Sequence, residues 1–203
     1  LVFGAVTGVG IWWTIGIVAP SATSTLIHIF VWGWAIEWLF FLVEIVAAFI
    51  YYNSWDRMNA KTHMTIGWIY FIFAWLSLFV INGILTFMLT TGDWIEQRTF
   101  LSAFFNPTML PSLVIRTAIC IALAGVFALV TGGLETVEEL RTRIHKYAAK
   151  WILIGTAFIP LGGIWYITSI PPLAREISMG GAPVVTMFAA SSILLSILIV
   201  ASA

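Results

Sequence analysis

The run Trp34-Ala35-Ile36-Glu37-Trp38-Leu39-Phe40-Phe41-Leu42-Val43-Glu44 sets two carboxylic acids in a segment that is otherwise apolar. At about 100° per residue, seven positions return to nearly the same helix face, so Glu44 lies about two turns below Glu37. An acid at membrane depth costs about 2.5–3.5 kcal/mol on insertion scales, and intramembrane acids are functional by default. Two acids on one face of one helix therefore need a task. The apolar run containing them extends from Leu26 to Tyr52, longer than a bilayer requires, so it is expected to tilt or protrude.

Outward from this stretch the same character persists. The 203 residues are 61% hydrophobic and 9% charged, with mean hydropathy +1.04 and zero net charge. A soluble domain carries about 25% charge, so the chain reads as an all-α, polytopic membrane bundle, a single transmembrane helical domain over residues 1–203. About six stretches reach the roughly 20 residues a span needs. Their ranges are 1–18, 26–52, 63–90, 110–131, 150–170 and 183–201, called spans A to F in order. No charged leader precedes span A, so the expectation is either that the start is cut off or that a partner chain or a leading helix precedes it.

Gly132-Gly133 stops span D, and Pro171-Pro172 stops span E. Pro160 and Gly162-Gly163 inside span E predict a kink. Residues 134–146, acidic first and basic last, predict a short interfacial helix acting as a solvated connector, with Glu139 and Arg143 at i,i+4 spacing. Six Lys and Arg residues fall in the B–C and D–E loops and two in the C–D and E–F loops, which places the first pair of loops in the cytoplasm. Span B then runs inward, with Glu37 about 18 Å from Leu26 and Glu44 about 10 Å deeper. Two acids in sequence across the inner half of a membrane read as steps of a proton path.

Other chemistries find no carrier. There is no P-loop, CxxC, HExxH or nucleophile elbow, no basic patch for nucleic acid, and the single Cys120 excludes an internal disulfide. His28 reads as an interfacial histidine at the start of span B, facing away from both acids. It is also a candidate haem ligand from a neighbouring helix. His63 reads as a cap or snorkelling group at the start of span C, and His145 as solvated. Trp34, Trp38 and Phe41 flank the acids as the wall of a pocket or a helix seam. Asn82 is a candidate extension of the Glu44 route.

Ala35-Ile36-Glu37, Glu44, Trp55-Asp56-Arg57 and His63-Met64, taken in order, resemble the signature of subunit I of the cytochrome bd quinol oxidases. Thr7-Gly8, Asn82-Gly83 and Asn106-Pro107 are similar to weaker landmarks of that family. The resemblance covers the whole chain as the second to seventh helices of that subunit. It implies a haem-bearing subunit of a respiratory complex in a bacterial inner membrane, with haem b, haem d or both. Glu37 would then lie beside the oxygen-reducing haem, on the side of its iron, and Glu44 would serve the cytoplasmic proton route. Trp34, His28 and Arg116 are further candidates for cofactor contact, Arg116 through a haem propionate unless it snorkels outward.

The sequence also departs from that family's pattern. The acids are seven apart instead of eight, Arg116 stands where a haem-ligating histidine is expected, and an arginine cannot ligate iron. The external loop, 171–182, is short, and Trp12-Trp13 replace an acid. These departures imply electrons from a cytochrome c or another partner subunit in place of quinol. The alternatives are a haem-free structural or proton-conducting subunit, and a transporter with its site at the Pro160 break.

Overall fold

The computed structural model describes residues 2–202, and they fold into helices joined by short turns. Four helices are long and apolar enough to cross a membrane, or up to six if each of two bent pairs counts as one span. The chain forms two compact units, residues 1–88 with 93–104 and residues 89–92 with 105–203.

In the first unit α1 (Val2–Val18) and α2 (Pro20–Ile29) meet at Ala19-Pro20 with a bend of 118°. Pro20 opens α2, where its missing N–H costs nothing. The Thr23 hydroxyl donates to the carbonyls of Ile15 and Ala19, at 3.1 and 2.9 Å, satisfying groups that the break exposes. A second break falls at Phe30, and α3 then runs from Val31 to Asn53. The expected span from Leu26 to Tyr52 is therefore two helices, and its first residues, His28 included, belong to α2. Burial of Phe30 accounts for the break: its ring is fully buried, edge-on to Phe87 and Phe100. Measured from Val31, Glu37 lies about 9 Å along α3 and Glu44 about 20 Å.

Asn59, not His63, caps α4 (Ala60–Phe87), accepting the Thr62 backbone N–H at 2.8 Å. The stretch expected to be a loop after α4 holds two short helices, α5 (Trp94–Gln97) and α6 (Phe100–Phe104). They close the end of the unit with aromatic rings, because Phe104 lies on Gly83 so tightly that a Cβ there would come within 2.5 Å of its ring. Trp94 meets Phe87 edge-on, and the Arg98 guanidinium covers the Trp94 ring at 4.3 Å.

In the second unit Thr90, Asn106 and Thr108 form a buried hydrogen-bonded cluster at the entry to α7 (Met109–Gly133), with the Asn106 carbonyl oxygen accepting from both hydroxyls at 3.1 Å. Helix α8 runs unbroken from Glu138 to Ser169, about 48 Å at 1.5 Å per residue, against a hydrocarbon core of about 30 Å. The charged connector is thus the projecting start of span E and not a separate interfacial helix, since no breaker stands between Lys146 and Trp151. The predicted Glu139–Arg143 pair is present at 2.7 Å and fully on the surface. The helix continues through Pro160.

Helices α7 and α8 pack antiparallel through small residues. A Cβ on Gly155 would stand 2.5 Å from the Ala122 backbone nitrogen, and one on Gly125 would stand 2.7 Å from the Ala148 carbonyl oxygen. Lipid tails supply no hydrophobic drive between helices, so such backbone contact is what holds a pair together. His145, expected to be solvated, is half-buried beside Gly132, and its Nε2 has no hydrogen-bond partner among the described residues. Beyond α8 come α9 (Pro172–Glu176), a π turn (Ile177–Gly181) and α10 (Pro183–Ser202). Arg175 folds back to donate to the carbonyls of Ile167 and Thr168, at 3.0 Å each, closing the end of α8.

Gly155→Val should destabilise the α7–α8 pair by about 1–3 kcal/mol, because the obstruction is backbone that cannot move aside. Gly163→Ala, where a Cβ meets nothing within 4 Å, should be neutral or stabilising by up to about 1 kcal/mol. Reversible unfolding in detergent compares the two.

Candidate functional site: an acid seam between two helices

Helices α3 and α4 are antiparallel, and contacts along their length fix the register. Phe40 meets Phe73 at 5.7 Å, and Tyr51 stacks on His63 at 4.0 Å. About one turn beyond Phe40 and Phe73, the Ser77 hydroxyl donates to Oε1 of Glu37 at 3.0 Å. Ser77 is buried and Glu37 half-buried, so this is an intramembrane acid held by a specific donor on the facing helix. In an antiparallel pair, seven residues forward on α3 correspond to seven back on α4. The step from Glu37 to Glu44 is thus matched by the step from Ser77 to Tyr70, which sets the Tyr70 phenol opposite the Glu44 carboxyl. The two groups lie within electrostatic reach of each other, as do the two acids. Glu44 makes no hydrogen bond to the described residues and keeps its full capacity for water or a mobile proton.

Trp34 lies one turn before Glu37 on the same face. Its ring is edge-on to Trp12 at 4.8 Å, and its indole Nε1 is buried with no acceptor among the described residues. A buried N–H without a partner is costly, and a water or ligand oxygen beside Glu37 would relieve it. Trp34, Glu37, Phe41 and Glu44 recur at the three- and four-residue steps that place side chains on one helix face, so the acids and their apolar spacers form one stripe. Trp38 is largely exposed and stands outside it.

At the far end of the seam the imidazole of His63 is stacked on Tyr51, edge-on to Trp55 at 4.3 Å, with Nε2 3.3 Å from the Tyr51 carbonyl. It is a packed hinge piece between the two helices. Gly67 makes room for Tyr51 there, at 3.0 Å from a notional Cβ.

The other sequence-derived candidates lie elsewhere. His28 is exposed on α2, with Nδ1 2.7 Å from the Ser24 carbonyl oxygen. Arg116 belongs to the second unit, on α7. Asn82 is fully buried on α4, five residues past Ser77 in the direction away from Tyr70. It is therefore about 18 Å along α4 from the level of Glu44 and about 8 Å beyond the level of Glu37. Sequence reading missed Ser77 and Tyr70. Their seven-residue spacing, equal to that of the acids, was the available signal once the two spans are paired antiparallel.

Among the described residues no three His, Cys, Asp or Glu side chains converge as a metal site. No family model, curated protein or solved structure matches the chain.

A double-mutant cycle with Ser77→Ala and Glu37→Ala should give a coupling of about 0.5–3 kcal/mol, the range for a hydrogen bond to an acid. The same cycle on Ser77 and Glu44, two turns apart, should give a value near zero. Unfolding of the four single and double variants in detergent measures both.

Proposed function

We propose that this chain is a proton-carrying membrane subunit of a cytochrome bd-like oxidoreductase, with Glu44 and Glu37 as successive proton sites along the α3–α4 seam. The observation that carries the reading is the matched seven-residue register, which sets Ser77 on Glu37 and Tyr70 opposite Glu44. Each acid thereby faces a hydroxyl that can give and take a hydrogen bond. About 10 Å separates the acids along the helix, too far for direct transfer, so one or more waters would complete the path. The charge bias of the loops makes Glu44 the acid nearer the cytoplasm. Protons would enter past the His63–Tyr51–Trp55 cluster, reach Glu44 and pass to Glu37.

Of the residues present, the exposed His28 on α2 is the one whose chemistry suits a haem iron, and in this reading a haem would be the electron-accepting partner of that path. The Nδ1–H of His28 is engaged by a backbone carbonyl, which leaves Nε2 with its lone pair on an exposed face, the tautomer that ligates a metal. His28 would hold such a group. When bound, such a group would supply the transfer of electrons from a cytochrome c or a partner subunit to oxygen or a related small acceptor. This chain contributes charge compensation, because an electron entering low-dielectric surroundings draws a proton to Glu37. The unpartnered Trp34 N–H supports a bound water or oxygen ligand at that end of the seam. A haem-free proton-conducting subunit draws on the same seam, and the spectrum of the intact complex separates the two.

Glu44→Gln should lower turnover and proton uptake at least tenfold while leaving the visible spectrum intact, and Tyr70→Phe should lower them by a smaller factor. Stopped-flow proton uptake with a pH dye measures the first quantity. A reduced-minus-oxidised spectrum without b- or d-type bands would remove the haem and keep only the proton path. Undiminished uptake in Glu44→Gln would remove the path itself.

A further inference from the structure

Arg116 is the charged residue of the α7 apolar span, seven residues and about 10 Å from the start of the helix. Its guanidinium cannot be neutralised by losing a proton. Its Nε donates to the Ser112 hydroxyl at 3.3 Å, one turn nearer the helix start, so the side chain leans toward that end. The Nη groups donate to none of the described residues, and the side chain is exposed. Tyr166, on the facing helix and within electrostatic reach of Arg116, lies about 5 Å from the end of α8. The lean brings the guanidinium to that same level, where helix ends meet lipid headgroups.

Two classes of face on α7 show what surrounds it. The face packed on α8 is built from Ala118, Ala122, Gly125 and Gly132. The face that continues from Arg116 carries Cys120, Leu123 and Phe127, all exposed, and the last two are bulky. Helices in lipid associate through small residues, as α7 and α8 do here. A bulky apolar stripe crowned by a snorkelling arginine suits acyl chains below and a phosphate above.

We propose that Arg116, with Ser112 and Tyr166 beside it, is a binding site for the phosphodiester of a membrane phospholipid, whose acyl chain lies along Cys120, Leu123 and Phe127. The planar guanidinium fork matches two phosphate oxygens. By the charge bias of the loops, this lipid belongs to the leaflet opposite the cytoplasm.

Native mass spectrometry of the intact protein released from phosphatidylglycerol nanodiscs tests the assignment. Wild type should retain one more phosphatidylglycerol per chain than Arg116→Gln, while Arg98→Gln, altered at an exposed arginine elsewhere, should match wild type. A comparison needing no variant uses wild type alone: phosphatidylglycerol should be retained at several-fold higher occupancy than diacylglycerol, which has the same tails and no phosphate. Equal retention of the two lipids, or equal retention by wild type and Arg116→Gln, overturns the site. Displacement of the lipid by excess inorganic phosphate or glycerol phosphate shows a free-anion site and overturns the lipid assignment. Unchanged lipid with loss of a partner subunit or of visible absorption in Arg116→Gln hands the arginine to a protein carboxylate or a cofactor instead.

Discussion

Close approach at glycines, onto backbone in the second unit and onto side chains in the first, is the constraint on which both units depend. In a bilayer the tails are as apolar as the side chains, so burying leucine against leucine gains little. A helix pair persists where small residues let main chains touch and dispersion contacts accumulate. In the second unit Gly125 and Gly155 do this against Ala148 and Ala122. In the first, Gly33 receives Ile84 and Phe100, and Gly83 receives Phe104. Where a glycine faces an aromatic ring, the contact also seals a helix end, which keeps water from the polar groups behind it.

The polar groups then divide by how they are satisfied. Asn106, Thr90 and Thr108 satisfy one another in a buried cluster, and Arg175 satisfies the last carbonyls of α8. These are structural uses, complete within the chain. Glu44, the Trp34 indole and the Arg116 Nη groups differ, since each retains hydrogen-bonding capacity toward the described residues, the first two within the α3–α4 seam and the last at the headgroup level. A membrane protein that tolerates such capacity holds it for something that arrives: a proton, a water, a headgroup.

The helical class and the membrane habit were legible from hydropathy alone, because every apolar run exceeded what a soluble core uses. The stops at Gly132-Gly133 and Pro171-Pro172 were legible for local reasons, as backbone that does not continue a helix. The break at Phe30 was not, since no glycine or proline stands at residues 26–32 and the rings that bury Phe30, Phe87 and Phe100, are distant in sequence. The full length of α8 failed to show for the opposite reason: the charged start suggested a separate helix, and packing along α7 joined it to span E. Of the acid seam, the α3 half was visible as two costly residues. The α4 half was hidden because a serine and a tyrosine in an apolar helix carry no energetic flag until a partner is set opposite them.

That register is what makes the seam a seam. Gly33 stands four residues before Glu37 and receives Ile84 at 3.3 Å from a notional Cβ, while Gly67 stands three before Tyr70 and receives Tyr51 at 3.0 Å. The two glycines lie on opposite helices and bracket the acid pair from both ends. A slip of one residue would swing Ser77 about 100° around α4, away from Glu37, and would press Ile84 and Tyr51 onto residues that carry a side chain. The cost of that overlap, about 1–3 kcal/mol at each end, is comparable with the hydrogen bond it protects. Steric fit at two glycines, both remote from any chemistry, thus fixes which hydroxyl each carboxyl can reach.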